Sequence, residues 1–148
     1  MVREANKGDL NQLLRLYTHL HEEGIPDDEM KLEKVWSAIL ADMNHHIIVN
    51  EINGRIVSSC VCVIILNLTR NVRPYAFIEN VVTDIDYRGN GYATACLEYA
   101  KEIASSENCY KMMLLTGSKR EATLNFYKNA GYNCNDKTAF IQWIGMDK

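Results

Sequence analysis

Apolar residues change their spacing along this chain from helical to alternating and back, and the changes mark out its elements. Leu10, Leu13, Leu14, Tyr17 and Leu20 form one stripe at intervals of three and four, which predicts a first helix. Asp9 stands where it can cap that helix, with Gln12 placed as in a capping box. Gly24-Ile25-Pro26-Asp27-Asp28 ends it, because proline cannot continue a helix and glycine is a common stop. Leu32, Val35, Trp36, Ile39 and Leu40 make the apolar face of a second helix from about Lys31 to Met43. His45 to Ile52 and Arg55 to Leu66 read as strands joined by Asn53-Gly54, a strong hairpin signal. Asn67 to Pro74 is polar and reads as a loop.

Tyr75 to Thr83 is rich in β-branched and aromatic residues, as a central strand should be. From Tyr92 to Ala104 the period is helical again, carried by Ala93, Leu97, Ala100 and Ala104. Lys111 to Thr116 reads as a compact buried strand. Glu121 to Asn129 reads as a helix capped by Gly131, and Ala139 to Ile144 as a last strand. Val2 to Ala5 is a short edge strand in this reading. A hairpin meander feeding a strand–helix–strand unit predicts an α/β (α+β) fold: a mixed central β-sheet flanked by helices.

The 148 residues suit one domain, 1–148, and are too few for two ordinary ones. Hydrophobic residues make up 47% and charged residues 24%, values typical of a soluble globular protein. A net charge of −3 argues against a general nucleic-acid binder. No apolar run reaches the roughly 18 residues needed to cross a bilayer, so no membrane partner is expected. The N-terminus lacks the apolar segment of a secretory signal, which makes a cytoplasmic location the expectation. The five cysteines, Cys60, Cys62, Cys96, Cys109 and Cys134, are odd in number and contain no C-x-x-C pair. They read as reduced thiols, mostly small buried apolar groups. The four histidines show no metal-ligand spacing, and no metal is expected.

The chemistry concentrates between the central strand and the helix after it. Arg88-Gly89-Asn90-Gly91-Tyr92-Ala93 puts two glycines and a cation at a helix start. Such a start leaves backbone N–H groups without partners and adds partial positive charge. Together they suit a phosphate or pyrophosphate, although a glycine pair here is also compatible with a plain tight turn. The nucleotide fingerprints G-x-x-x-x-G-K-[ST] and G-x-G-x-x-G are absent.

Arg88 to Ala93 resembles the Q/R-x-x-G-x-G/A signature of the GNAT family of N-acetyltransferases. Asn125-Phe126-Tyr127-Lys128-Asn129-Ala130-Gly131-Tyr132 is similar to the family's second signature, a helix ending in Y-x-x-x-G-[FY]. One helix and one strand separate the two, as in the family. Ile78-Glu79-Asn80-Val81-Val82 and Asn108-Cys109-Tyr110-Lys111 also resemble the glucosamine-6-phosphate N-acetyltransferases locally.

The resemblance implies a sheet whose central strands splay to admit acetyl-CoA. It assigns the pyrophosphate to the amides of Gly89, Asn90, Gly91, Tyr92, Ala93 and Thr94, with Arg88 nearby. The thioester carbonyl would meet a backbone N–H of Val81, Val82 or Thr83. Where many members carry an asparagine before the tyrosine, Arg120 stands here, and Asn125 is the alternative contact. Acetyl transfer to an amine needs the amine deprotonated, the oxyanion stabilised and the thiolate protonated. Tyr127 occupies the position of the family's general acid, and a phenol is protonated at neutral pH. Glu79 is the candidate base; a solvated carboxylate facing an open cleft is its other reading.

In the family the first two helices line the acceptor pocket. That makes His19, His21, Glu22, Glu23 and Trp36 candidates for acceptor contact, against a reading of solvated polar groups and one core tryptophan. Arg70 and Arg73 could meet an anionic acceptor or be solvated. Asp84 and Asp86 are expected to cap the turn or meet solvent. The expectation is an acetyl-CoA-dependent N-acetyltransferase acting on a primary amine of a small molecule. A non-catalytic acyl-CoA sensor and a protein N-acetyltransferase stay open, as does a homodimer paired through its final strands.

Overall fold

The computed structural model describes residues 1–20 and 24–145. Met1–Leu114 form one compact unit and Leu115–Lys148 a second.

The first unit is built on a five-stranded sheet in the order β1-β2-β3-β4-β5. The strands are β1 (Val2–Glu4), β2 (His45–Ile52), β3 (Arg55–Ile65), β4 (Tyr75–Thr83) and β5 (Met112–Leu114). The first four pair antiparallel in sequence order, and β4 pairs parallel with β5. A parallel pair needs a crossover, and the helix α4 (Tyr92–Ser106) supplies it. The sheet is therefore mixed, as the element order implies.

Asn53 and Gly54 join β2 to β3 with φ of 50° and 79°, the left-handed pair that a tight hairpin requires. The core lies on both faces of β3. On one side Leu13 and Leu16 from α1 (Leu10–Tyr17) and Trp36 from α2 (Glu29–Ala41) pack with Ile47, Val49, Val61 and Val82. Cys60, Cys62, Cys96, Leu97 and Ala100 are also fully or nearly fully buried. All five cysteines are free thiols; Cys109 is half-buried and Cys134 exposed.

Several sequence expectations change. The side chain of Asp9 does not cap α1. It accepts from Asn6 N–H and from Arg3, while Asn6 caps the preceding 3-10 turn Lys7–Asp9. Gln12 instead bridges to the hairpin: its Oε1 accepts from Ile56 N–H at 2.8 Å and its Nε2 donates to Gly54 O at 3.1 Å. The capping box of the preceding turn takes Asp9, three residues from Asn6, and partners 42 and 44 residues away take Gln12. On α2, Trp36 is buried but Val35 and Leu40 are 48% and 40% exposed, so the apolar face is narrower than its spacing suggested.

β5 is three residues long rather than six. The loop after β3 contains one short turn, α3 (Thr69–Val72).

In the second unit, α5 (Glu121–Asn129) is the regular element. No strand forms over residues 139–144. Apolar, β-branched composition favours a strand only where it pairs in a ladder, and residues 139–144 pair with no strand among the described residues.

Candidate active site

The site is assembled around the end of β4. Along its first half β4 has neighbours on both sides: Ala76, Phe77 and Ile78 face Met112, Met113 and Leu114 of β5. After Ile78 the β5 ladder stops, while β4 continues beside β3 to Thr83, opposite Ser58. One edge of 79–83 thus has no strand partner among the described residues. The register between β3 and β4 also slips here: Val61 faces Glu79 but Ser59 faces Val82, so β4 carries one extra residue. Asn80 takes up that residue with φ 51°, a left-handed value asparagine tolerates better than most side chains. This bulge turns the strand and re-aims residues 81–83.

Glu79 is exposed on this strand, which answers how an acidic side chain sits in an apolar segment. Val82 is buried and Val81 half-buried. Ser58 Oγ donates to Val82 O at 3.0 Å and shares a hydrogen bond with Thr83 Oγ1 at 2.9 Å. Two buried serines in β3 therefore have partners: Ser58 holds the end of β4, and Ser59 donates to Ile48 O in β2. Burial pushes the nearby Tyr17 phenol up to about 12, despite its hydrogen bond with Ser59.

Beyond β4 the chain makes a 3-10 turn (Ile85–Tyr87) capped by Asp84, whose Oδ1 accepts from Asp86 N–H at 3.1 Å. Asp84 is buried, and its Oδ2 accepts from Arg55 Nη2 at 2.6 Å. His19 Nε2 stands 3.9 Å from its Oδ1. Burial pushes this carboxyl upward, but the Asp86 N–H, Arg55 and His19 outweigh that and hold it below the usual range. Arg55 also lies over the ring of Tyr87, 5.5 Å from its centre. Sequence reading reached the cap but not this network, whose members lie far apart in the chain.

The glycine turn comes next. Gly89 and Gly91 have φ of 77° and 80°. A Cβ at either would meet open space, so the backbone conformation and not crowding calls for glycine. Asn90 braces the turn from inside by donating to the carbonyls of Tyr87 and Arg88. Gly91 is the N-cap of α4, and no side chain caps that helix. The first amides of this 15-residue helix have no side-chain cap among the described residues. Arg88 donates through Nε to Thr83 O at 3.2 Å. Its two terminal nitrogens carry no hydrogen bond among the described residues. Asn50, buried in β2, donates to Tyr92 O at 3.4 Å and ties the helix start to the sheet. An uncapped helix start, an open glycine turn and a guanidinium form a cradle suited to a pyrophosphate.

In the second unit Arg120 is the N-cap of α5, Asn125 is an exposed position within it, and Tyr127 lies in its last turn. The Tyr127 ring packs edge to face with Phe126 and Tyr132, at 5.0 and 6.3 Å between centres.

The acceptor candidates divide. Trp36 is a core residue, 4% exposed, with Nε1 donating to Lys7 O. His19 belongs to the Asp84 network. His21, Glu22 and Glu23 lie outside the described residues. Arg73 is not loosely solvated; it donates to the carbonyls of Asn108 and Cys109. Among the described residues no group of acidic, histidine or cysteine side chains could hold a metal ion, and no helix is long and apolar enough to cross a membrane.

Comparison with known proteins shows the family. The model of the acetyltransferase (GNAT) family matches residues 10–132. A glucosamine 6-phosphate N-acetyltransferase of Trypanosoma brucei brucei is 32% identical over 142 residues, 92% of this chain and 90% of that protein. A solved structure named "Putative acetyltransferase from Agrobacterium tumefaciens str. C58" is 40% identical, with a TM-score of 0.89 over 97% of this chain and 99% of that one. The glucosamine-6-phosphate N-acetyltransferase of Arabidopsis thaliana shares the fold at a TM-score of 0.85 and 23% identity, covering 99% of this chain and 98% of its own.

Proposed function

The chain belongs to the acetyltransferase (GNAT) family, and we propose that it moves the acetyl group of acetyl-CoA onto the primary amine of a small molecule. The observation that carries this reading is the uncapped start of α4 behind the left-handed Gly89 and Gly91. Acetyl-CoA, when bound, supplies the activated thioester.

Each part of the reaction falls to particular residues of the chain. The amides of Gly89, Asn90, Gly91, Tyr92, Ala93 and Thr94, with the free end of Arg88, bind the pyrophosphate. The unpartnered edge of β4 offers a backbone N–H from Val81, Val82 or Thr83 to the acyl oxygen. Glu79 takes the proton that the incoming ammonium must lose. Tyr127 gives its phenolic proton to the departing sulfur. Arg120 or Asn125 adds a polar contact to the cofactor's pantetheine or pyrophosphate. The family match, over residues 10–132, runs through both compact units.

Isothermal titration with acetyl-CoA tests the binding half, and acetyl-CoA-dependent thiol release across a panel of amines tests the chemistry. Saturable binding followed by release with at least one small amine is the expected result. Absence of binding up to millimolar coenzyme removes the reading. Binding with no release for any amine, peptides included, makes the protein an acyl-CoA sensor instead.

A further inference from the structure

Arg55 lies outside both family motifs, yet it meets the approach to the glycine turn at two points. It opens β3 directly after the Asn53-Gly54 hairpin. One side chain of α1 clamps the backbone on either side of it: Gln12 donates to Gly54 O at 3.1 Å and accepts from Ile56 N–H at 2.8 Å. The Arg55 side chain therefore starts from a fixed point.

From there the guanidinium reaches the chain that follows β4. Its Nη2 donates to Asp84 Oδ2 at 2.6 Å, and its central carbon lies 5.5 Å from the centre of the Tyr87 ring. The ion pair is unequal, with the Arg55 side chain 48% exposed and that of Asp84 5%. A pair between two exposed groups contributes little, whereas a buried carboxylate depends on its counter-charge. Without Arg55 the Asp84 carboxylate would keep the Asp86 N–H at 3.1 Å, while His19 Nε2 at 3.9 Å is beyond hydrogen-bond reach.

Both contacts bear on the diphosphate cradle. Asp84 caps the 3-10 turn, its carbonyl accepts from Tyr87 N–H at 2.9 Å, and its own N–H donates to Val57 O at 2.8 Å. The Tyr87 ring lies 6.3 Å, centre to centre, from the ring of Tyr92, the first residue of α4. Arg55 thus holds the chain just before Gly89 and Gly91, and it touches a ring pair that spans them. Two glycines leave a backbone unusually free. A ligand that needs several of its amides at once binds better when they are already in place.

We propose that Arg55 is a positioning residue for the diphosphate of acetyl-CoA: through Asp84 and Tyr87 it fixes the glycine turn and the start of α4 without touching the cofactor. This rests on the diphosphate role given to that turn under the proposed function.

The test is Arg55→Met, which keeps a long apolar stem and removes the charge, assayed beside Asp84→Asn and the double variant. Arg55→Met should raise the KM and Kd for acetyl-CoA about tenfold, within the range by which a residue outside a site biases binding there. Its kcat at saturating acetyl-CoA and its KM for the amine should not move. Asp84→Asn should weaken acetyl-CoA in the same direction. The double variant should bind no more weakly than the weaker single one, because both act along one path. Unchanged acetyl-CoA affinity in Arg55→Met overturns the proposal. A lower kcat with both KM values raised marks a general defect and overturns it too. Losses that multiply in the double variant overturn the route through Asp84.

If the wild type binds no acetyl-CoA, the proposed function fails, and amide exchange in the free protein decides the positioning alone. The amides of Asp86, Tyr87 and Ala95 donate to Asp84 Oδ1, Asp84 O and Gly91 O. In Arg55→Met they should exchange at least about tenfold faster, while amides of the β2–β3 ladder keep their wild-type rates. Equal rates, or acceleration spread evenly over the sheet, refute the proposal. Arg55 is half-exposed, so its substitution opens no cavity in the core.

Discussion

Tyr132 donates its backbone N–H to the carbonyl of Tyr127 at 3.0 Å, and the two rings meet edge to face. Gly131, with φ of 99°, donates to Lys128 O at 3.0 Å. These are the two hydrogen bonds of a Schellman ending, with its usual apolar contact across the cap. The Tyr-x-x-x-Gly-Tyr spacing therefore has a structural meaning of its own: it stops α5 and fixes the turn on which Tyr127 sits.

That double duty can be separated by substitution. Tyr127→Phe keeps the ring contacts and the cap. It should leave the melting temperature and acetyl-CoA affinity nearly unchanged while lowering kcat about 100-fold or more, the range of one proton-transfer group. Gly131→Ala should do the reverse at first order and destabilise the protein by about 1 kcal/mol, since a Cβ opposes the left-handed conformation. A Tyr127→Phe enzyme with full kcat removes the phenol from the chemistry.

Gly91 gives α4 its start at φ 80° with open space around it. Gly91→Ala should fold, at a cost of about 1 kcal/mol, and bind acetyl-CoA more weakly. Calorimetric titration beside thermal melting separates the two effects. Unaltered affinity would mean that the helix start does not hold the diphosphate.

Glu79→Gln removes the proposed base without changing shape. Turnover should fall by about 100-fold or more while acetyl-CoA affinity is kept, which activity assays beside calorimetric titration read. Full turnover in this variant would remove Glu79 from the chemistry.

Asp84 makes a prediction about stability and pH. Its carboxyl is held lower in the folded protein than in the unfolded chain. The associated stabilisation is therefore complete above the unfolded value, about 3.9, and disappears as pH falls through the folded value. Urea unfolding of the wild type should weaken more steeply below about pH 4 than that of Asp84→Asn. Parallel curves would show that the Arg55 and Asp86 contacts do not act through this charge.

The thiols should differ sharply in reactivity. Burial pushes Cys62 up to about 12 and Cys96 up to about 11, and it raises Cys60 as well. A thiol reagent at neutral pH should modify Cys134 quickly and Cys60, Cys62 and Cys96 only on unfolding. Rapid labelling of all five in the native state would contradict the packing of β3 against α4.

The sequence by itself determined the parts whose causes are local. The helical stripes, the Asn53-Gly54 hairpin, the β-rich central strand and the glycine turn come from side-chain period and backbone preference within a few residues. Tertiary structure decided the rest. Asn80 becomes a bulge only because β3 sets a register that β4 overruns by one residue. Gln12 leaves its local cap for Ile56 and Gly54, 44 and 42 residues away. Asp84 acquires Arg55 from the start of β3, 29 residues back in the chain, and Lys111 meets Tyr75 through a parallel pairing that α4 must first make possible. Residues 139–144 carry a strand's composition without a ladder. Hydrogen bonds and charges act between groups that folding brings together, and spacing along the chain does not encode that proximity.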